Sequence, residues 1–68
     1  MAYTQPIFPH PEVIGQFRTF GLFGPAYRIL DTARQDDKGQ WMLRVQVVDT
    51  DEEAEYPYDQ AANDPEAD

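Results

Sequence analysis

The sequence predicts an all-β fold: a small four-stranded antiparallel sheet curled as an SH3-like barrel or meander, with an extended proline-rich N-terminal arm and a short helical turn near the C-terminus. Three observations predict it. Residues 41–48 alternate, with Trp41, Leu43, Val45 and Val47 on one face and Arg44 and Gln46 on the other, the period of a half-buried strand. Turn residues punctuate the chain at 21–25, 36–39 and 50–53, at spacings that suit short hairpin-linked strands. The apolar positions of the candidate strands also agree on a single face.

Taken in order, residues 1–12 carry Pro6, Pro9 and Pro11. Proline fixes φ and lacks an amide donor, so this arm is expected to be extended rather than helix or central strand. Ile7 and Phe8 are its apolar anchors before Val13 and are expected to tuck against the domain. Residues 13–20 read as a first strand with Val13, Phe17 and Thr19 inward and Gln16 and Arg18 outward. Residues 21–25 form a tight connection of two glycines and a proline, and its Leu22 and Phe23 are expected to plug one end of the core. Residues 26–34 form a second strand with Tyr27 and Ile29 inward and Arg28 outward; the helical alternative lacks a capping signal and an i, i+3, i+4 pattern. Asp36-Asp37-Lys38-Gly39 suits a type I turn with Gly39 in the left-handed region. After the strand at 41–48 and a turn at 50–53, residues 54–58 make a last strand, placed at an edge because Pro57 has no ladder donor. Residues 59–63 are expected to form one helical turn capped by Asp59, and residues 64–68 to fray.

The predicted inner face is Val13, Phe17, Tyr27, Ile29, Trp41, Leu43, Val45, Val47, Ala54 and Tyr56. The outer face is Gln16, Arg18, Arg28, Arg44, Gln46, Glu53 and Glu55. The organisation is an arm (1–12), a β domain (13–58) and an acidic turn and tail (59–68).

Length and charge narrow the function. A 68-residue chain buries only about 60% of its unfolded surface, which leaves one marginal domain. With no cysteine and no serine, thiolate chemistry, disulfides and Ser or Cys triads are excluded. His10, the single histidine, lies between prolines and reads as an exposed loop residue rather than a positioned base. The residues 21–24 carry bulky apolar side chains where a phosphate cradle needs free amides. No catalytic residue, cofactor or metal site is expected; the acids at 49–55 lack the central glycine and glutamate spacing of an EF-hand. The N-terminus has neither the basic flank nor the apolar stretch of a signal peptide, and no run approaches a membrane span; a cytoplasmic location is the expectation.

The net charge of −8 is unevenly distributed. Residues 1–48 hold four acids and all five bases, whereas residues 49–68 hold nine acids and no base. Such a segment is either a solvated tail or a surface that binds something basic. Direct binding of nucleic acid or of an anionic membrane is opposed by the net charge. Arg18, Arg28 and Arg44 on one face would be the nucleic-acid alternative; cross-strand pairing of Arg44 with Glu53 and Glu55, and more remotely of Arg28, accounts for them structurally.

The stretches Ile14-Gly15-Gln16-Phe17-Arg18-Thr19-Phe20-Gly21, Gly24-Pro25-Ala26-Tyr27-Arg28-Ile29-Leu30, Leu43-Arg44-Val45-Gln46-Val47-Val48-Asp49-Thr50, Glu52-Glu53-Ala54-Glu55-Tyr56-Pro57-Tyr58 and Asp64-Pro65-Glu66-Ala67 resemble a family of small acidic bacterial proteins catalogued as a domain of unknown function. The resemblance spans about residues 13–67 and implies a shared fold unit and a bacterial or phage origin, with no activity attached. A glycine is common in that family where Asp51 stands here, and Asp also tolerates positive φ.

The expected function is a non-enzymatic acidic binding module, monomer or homodimer, that neutralises a basic, nucleic-acid-handling protein. An antitoxin or a phage inhibitor of the anti-CRISPR kind would fit. Its contacts would be Asp49, Asp51, Glu52, Glu53 and Glu55, with Tyr56 and Tyr58 as aromatic anchors. The alternative is an accessory or scaffold subunit that docks on a larger enzyme through a sheet edge or the Ile7-Phe8 arm.

Overall fold

The computed structural model describes residues 7–67. A 3₁₀ helix, Pro11–Val13, precedes four strands: β1 (Phe17–Thr19), β2 (Ala26–Gln35), β3 (Trp41–Val47) and β4 (Glu53–Pro57). Helix α1 (Tyr58–Asn63) follows. The strands form one antiparallel sheet in the order β1-β2-β3-β4. The sheet is an open meander; β1 and β4 do not join, so the closed-barrel form of the prediction does not occur.

β3, β4 and the first part of β2 follow their alternation. Tyr27 lies opposite Val47, Ile29 opposite Val45, Leu43 opposite Tyr56 and Val45 opposite Ala54. Tyr27, Ile29, Leu43 and Val45 are fully buried. Beyond Ile29 two bulges, between Ile29 and Asp31 and between Thr32 and Arg34, each shift the register of β2 against β3 by one residue. The first bulge turns Asp31 to the outer face, opposite Arg44, where strict alternation from Ile29 would have aimed a carboxylate at the core.

The first strand is shorter than its sequence pattern and has the opposite parity. Val13 is buried, as expected, but ends the 3₁₀ helix. Gly15 then takes φ +91°, which breaks the alternation from Val13 to Phe17. Phe17 therefore pairs with Arg28, and Arg18 with Tyr27. Phe17 stands half exposed on the outer face beneath the Arg28 guanidinium, 5.7 Å from its ring centroid. Arg18 points inward.

The inner face is covered by the chain before β1 and by α1. Phe8 is buried and makes edge contacts with Trp41 and Tyr58 at 5.5 and 5.3 Å between ring centroids. Ala61 of α1 completes the core. Of the arm expected over 1–12, Phe8 tucks in and Ile7 stays exposed; residues 1–6 lie outside the described residues. The helix begins at Tyr58, with Pro57 at its N-cap and no side-chain cap, so Asp59 sits in its first turn instead of capping it.

The hairpin turns explain their sequences. Asp36 Oδ1 accepts from the amides of Lys38 and Gln40, both at 2.9 Å, and Gly39 takes φ +80°, the left-handed position a glycine fills without steric strain. Between β3 and β4 that position is held by Asp51 at φ +61°.

Residues 64–67 do not fray. The amide of Thr19 donates to the Pro65 carbonyl at 3.1 Å, and that of Ala67 to the Phe17 carbonyl at 2.9 Å. Arg18 and Glu66 form an antiparallel bridge. The chain thus leaves β4, crosses as α1 and returns to β1. Proximity in space replaces the local signal that sequence reading relies on; Asp68 lies outside the described residues.

Candidate functional site: the acidic end of the sheet

In a four-stranded meander the β1–β2 and β3–β4 connections lie at the same end of the sheet. The Val48 amide donates to the Ala26 carbonyl at 3.0 Å, which ties the start of the β3–β4 turn to the start of β2. That turn closes through Asp51 N to Val47 O and Val47 N to Glu52 O, each 2.8 Å. Asp49, Asp51 and Glu52 are all exposed on it. Among the described residues none of the three has a basic partner within ion-pair distance.

The other predicted contacts are placed differently. Glu53 and Glu55 lie on the outer sheet face and are engaged by arginines. Glu53 is 3.8 Å from Arg44, which also donates to Asp31 at 2.8 Å. Glu55 accepts from Arg34 at 3.0 Å, not from Arg44 or Arg28; the two bulges of β2 leave Arg34 on the outer face and shift it along β3 to lie opposite Met42. Tyr56 is on the inner face. Tyr58 opens α1 and stacks on His10, with centroids 4.9 Å apart and planes 6° apart. The structure therefore brings Asp49, Asp51 and Glu52 together, sets Glu53 and Glu55 within an ion-pair row, and separates both tyrosines from the acids. Nor do the three arginines share one face: Arg28 and Arg44 point outward, Arg18 inward.

Leu22 and Phe23 do not plug the core. They project from the β1–β2 loop at 79% and 99% exposure, at the end of the sheet that carries the acidic turn. The loop holds them out: the Phe20 amide donates to the Pro25 carbonyl at 3.1 Å, and Thr19 Oγ1 donates to the Gly21 carbonyl at 2.7 Å. Gly24 packs so closely on the Phe20 backbone that a side chain there would overlap the Phe20 carbonyl oxygen.

Behind this end lies a polar cluster centred on Asp64. Its Oδ2 accepts from Tyr27 Oη at 2.8 Å and Tyr56 Oη at 2.9 Å, and its Oδ1 from the Gly21 amide at 3.1 Å. Arg18 donates to the Asp64 carbonyl at 2.9 Å and to Gln16 Oε1 at 2.8 Å. The Arg18 Nε is buried without a partner among the described residues. Burial, then the hydrogen bond donated to Asp64, then the carboxylate's charge push the Tyr27 hydroxyl far above its ordinary pKa; Arg18 opposes the shift. The same first three causes push Tyr56 up to about 12. Neutral phenols donating to a carboxylate, held this way, dock the C-terminal segment and brace the β1–β2 loop. The sequence carried one usable signal for it: an inward Tyr27 needs a buried acceptor.

Among the described residues no three metal-ligating side chains converge, and no helix is long and apolar enough to cross a membrane. The model of a protein family of unknown function matches residues 4–68. No curated protein matches the chain.

Proposed function

The chain belongs to the family of unknown function DUF5397, and from its own geometry we propose that it is a non-enzymatic, cytoplasmic acidic module that binds and neutralises a basic, nucleic-acid-handling protein. The carrying observation is the division of its acids. Asp31, Glu53 and Glu55 are matched by Arg34 and Arg44 on the sheet face. Asp49, Asp51 and Glu52 have no such match among the described residues and share one exposed turn at one end of the sheet. Charges fixed this close together on a hairpin repel one another. They gain an attractive role when a lysine- or arginine-lined cleft approaches, and they steer its encounter. The binding surface is therefore the turn acids, with Glu53 and Glu55 already neutralised internally.

The accessory-subunit alternative has less support. Half of the Ile7-Phe8 docking motif is spent in the core, and the β4 edge carries Glu53, Glu55 and Pro57, residues that blunt strand addition.

The test is capture from a lysate of the source organism with immobilised wild-type chain and with an Asp49→Asn, Asp51→Asn, Glu52→Gln variant, at low and high salt. A basic nucleic-acid-handling protein retained by the wild type at low salt, lost with the variant or with added salt, and inhibited when bound is the expected result. Equal retention by both chains at both salts would overturn the proposal.

A further inference from the structure

Large apolar side chains at a loop tip ordinarily fold back onto a core or meet a partner. Here the loop prevents the first. Residues 20–25 are closed by the Phe20–Pro25 and Thr19–Gly21 hydrogen bonds, anchored through the Gly21 amide to Asp64, and locked by the Gly24 contact with Phe20. Phe23 is 99% exposed and Leu22 79%. The pair is thus presented by a fixed backbone, and little backbone ordering remains to be done on binding.

Its surroundings say what the pair meets. Val48, 44% exposed, lies at the same end of the sheet, its amide bonded to the carbonyl of Ala26 where the loop enters β2. Asp49, Asp51 and Glu52 follow in the β3–β4 connection at that end, and neither connection contains a basic residue. An apolar centre within a charged rim is the anatomy of a protein-binding hot spot. The rim is uniformly acidic, so two copies meeting at this end would bring like charges together, and an anionic lipid surface would be repelled.

Resting on the acidic-module reading above, we infer that Leu22 and Phe23 are the apolar anchor of that interface, and that they enter an apolar or aromatic pocket rimmed by lysine and arginine on the partner protein. Clefts that bind single-stranded nucleic acid have this composition: basic walls around aromatic stacking platforms. The Phe23 ring takes the place of a base, and the turn acids take the place of phosphates.

A phage-displayed library of short random peptides, selected on the immobilised chain, supplies the probe. Peptides that combine Lys or Arg with Trp, Tyr or Leu should be enriched, and should shift the amide resonances of residues 20–25 and 48–52. A Leu22→Ala/Phe23→Ala variant should bind them about thirtyfold more weakly, the loss of a hot-spot anchor, while Phe23→Trp retains binding. Both variants change exposed side chains, and their unfolding temperatures show that they fold. Undiminished binding by the double alanine variant, with loss in the Asp49→Asn, Asp51→Asn, Glu52→Gln variant, would overturn this inference and leave the acidic module standing. Binding that needs Phe23 but ignores the acids would overturn both. Shifts mapping elsewhere, or a wild-type dimer that the double variant dissolves, would also overturn it.

Discussion

Replacing Asp64 with alanine removes the acceptor on which three donors converge: Tyr27 Oη at 2.8 Å, Tyr56 Oη at 2.9 Å and the Gly21 amide at 3.1 Å. The magnitude follows from the fates of those donors. Tyr27 is a fully buried residue, so its hydroxyl loses its carboxylate partner without a ready substitute, at about 1–3 kcal/mol. Tyr56 and Gly21 are nearer solvent and add about 0.5–1 kcal/mol each. The total is about 3 kcal/mol, a large share of the 3–10 kcal/mol or so available to a domain of this size. The unfolding midpoint should fall by about 15 °C, taking ~4–8 °C per kcal/mol. Thermal unfolding followed by far- and near-ultraviolet circular dichroism measures this, with Tyr56→Phe as a milder control expected to lose about 1 kcal/mol. Loss of the Pro65–Thr19 and Ala67–Phe17 hydrogen bonds in Asp64→Ala should appear as faster amide exchange at Thr19 and Ala67. An Asp64→Ala variant within 0.5 kcal/mol or so of wild type, no more affected than a surface substitution, would refute the Asp64 cluster as the clasp of the C-terminal segment.

Other outcomes follow from the same geometry. Tyr27 and Tyr56 titrate above their unfolded value of about 10, so the folded state holds more protons than the unfolded one above that pH. Their contribution is complete below pH ~10 and is lost as pH rises toward the Tyr56 value of about 12; urea unfolding at stepped alkaline pH should show stability declining there, and a flat profile would contradict it. Asp51 sits at φ +61°, so Asp51→Val should lose about 1–2 kcal/mol while Asp51→Gly stays within about 0.5 kcal/mol of wild type, as read from urea midpoints. Gly24→Ala should destabilise by more than 1 kcal/mol or so, because its methyl group meets the Phe20 backbone; unchanged stability would show that the β1–β2 loop is not held as described.

Much of the sheet is legible in the sequence because its signals are local. β2, β3 and β4 have two-residue periodicity bounded by turn residues, and Gly39 and Asp51 occupy the turn positions that need positive φ. What escapes are the places where local rules are interrupted. The alternation from Val13 to Phe17 crosses Gly15 and a 3₁₀ turn, which inverts the parity of β1 and sends Arg18 inward. Two bulges in β2 hand Glu55 to Arg34. Residues 64–67 carry no strand pattern; they dock because Asp64 finds two tyrosines and a loop amide distant in sequence. The acids of the candidate site are legible as a charge run, but their separation into free and paired groups depends on register. Leu22 and Phe23 invite a core assignment by hydropathy alone, and only the closure of their loop turns them outward.

The most direct test of the central claim is the affinity of the captured partner for the wild-type chain as a function of salt concentration. Three exposed turn acids meeting a basic cleft predict that affinity falls steeply as salt rises, and that the Asp49→Asn, Asp51→Asn, Glu52→Gln variant binds weakly with a nearly flat dependence. Wild-type affinity indifferent to salt, or a variant with the same salt dependence as wild type, would contradict the account.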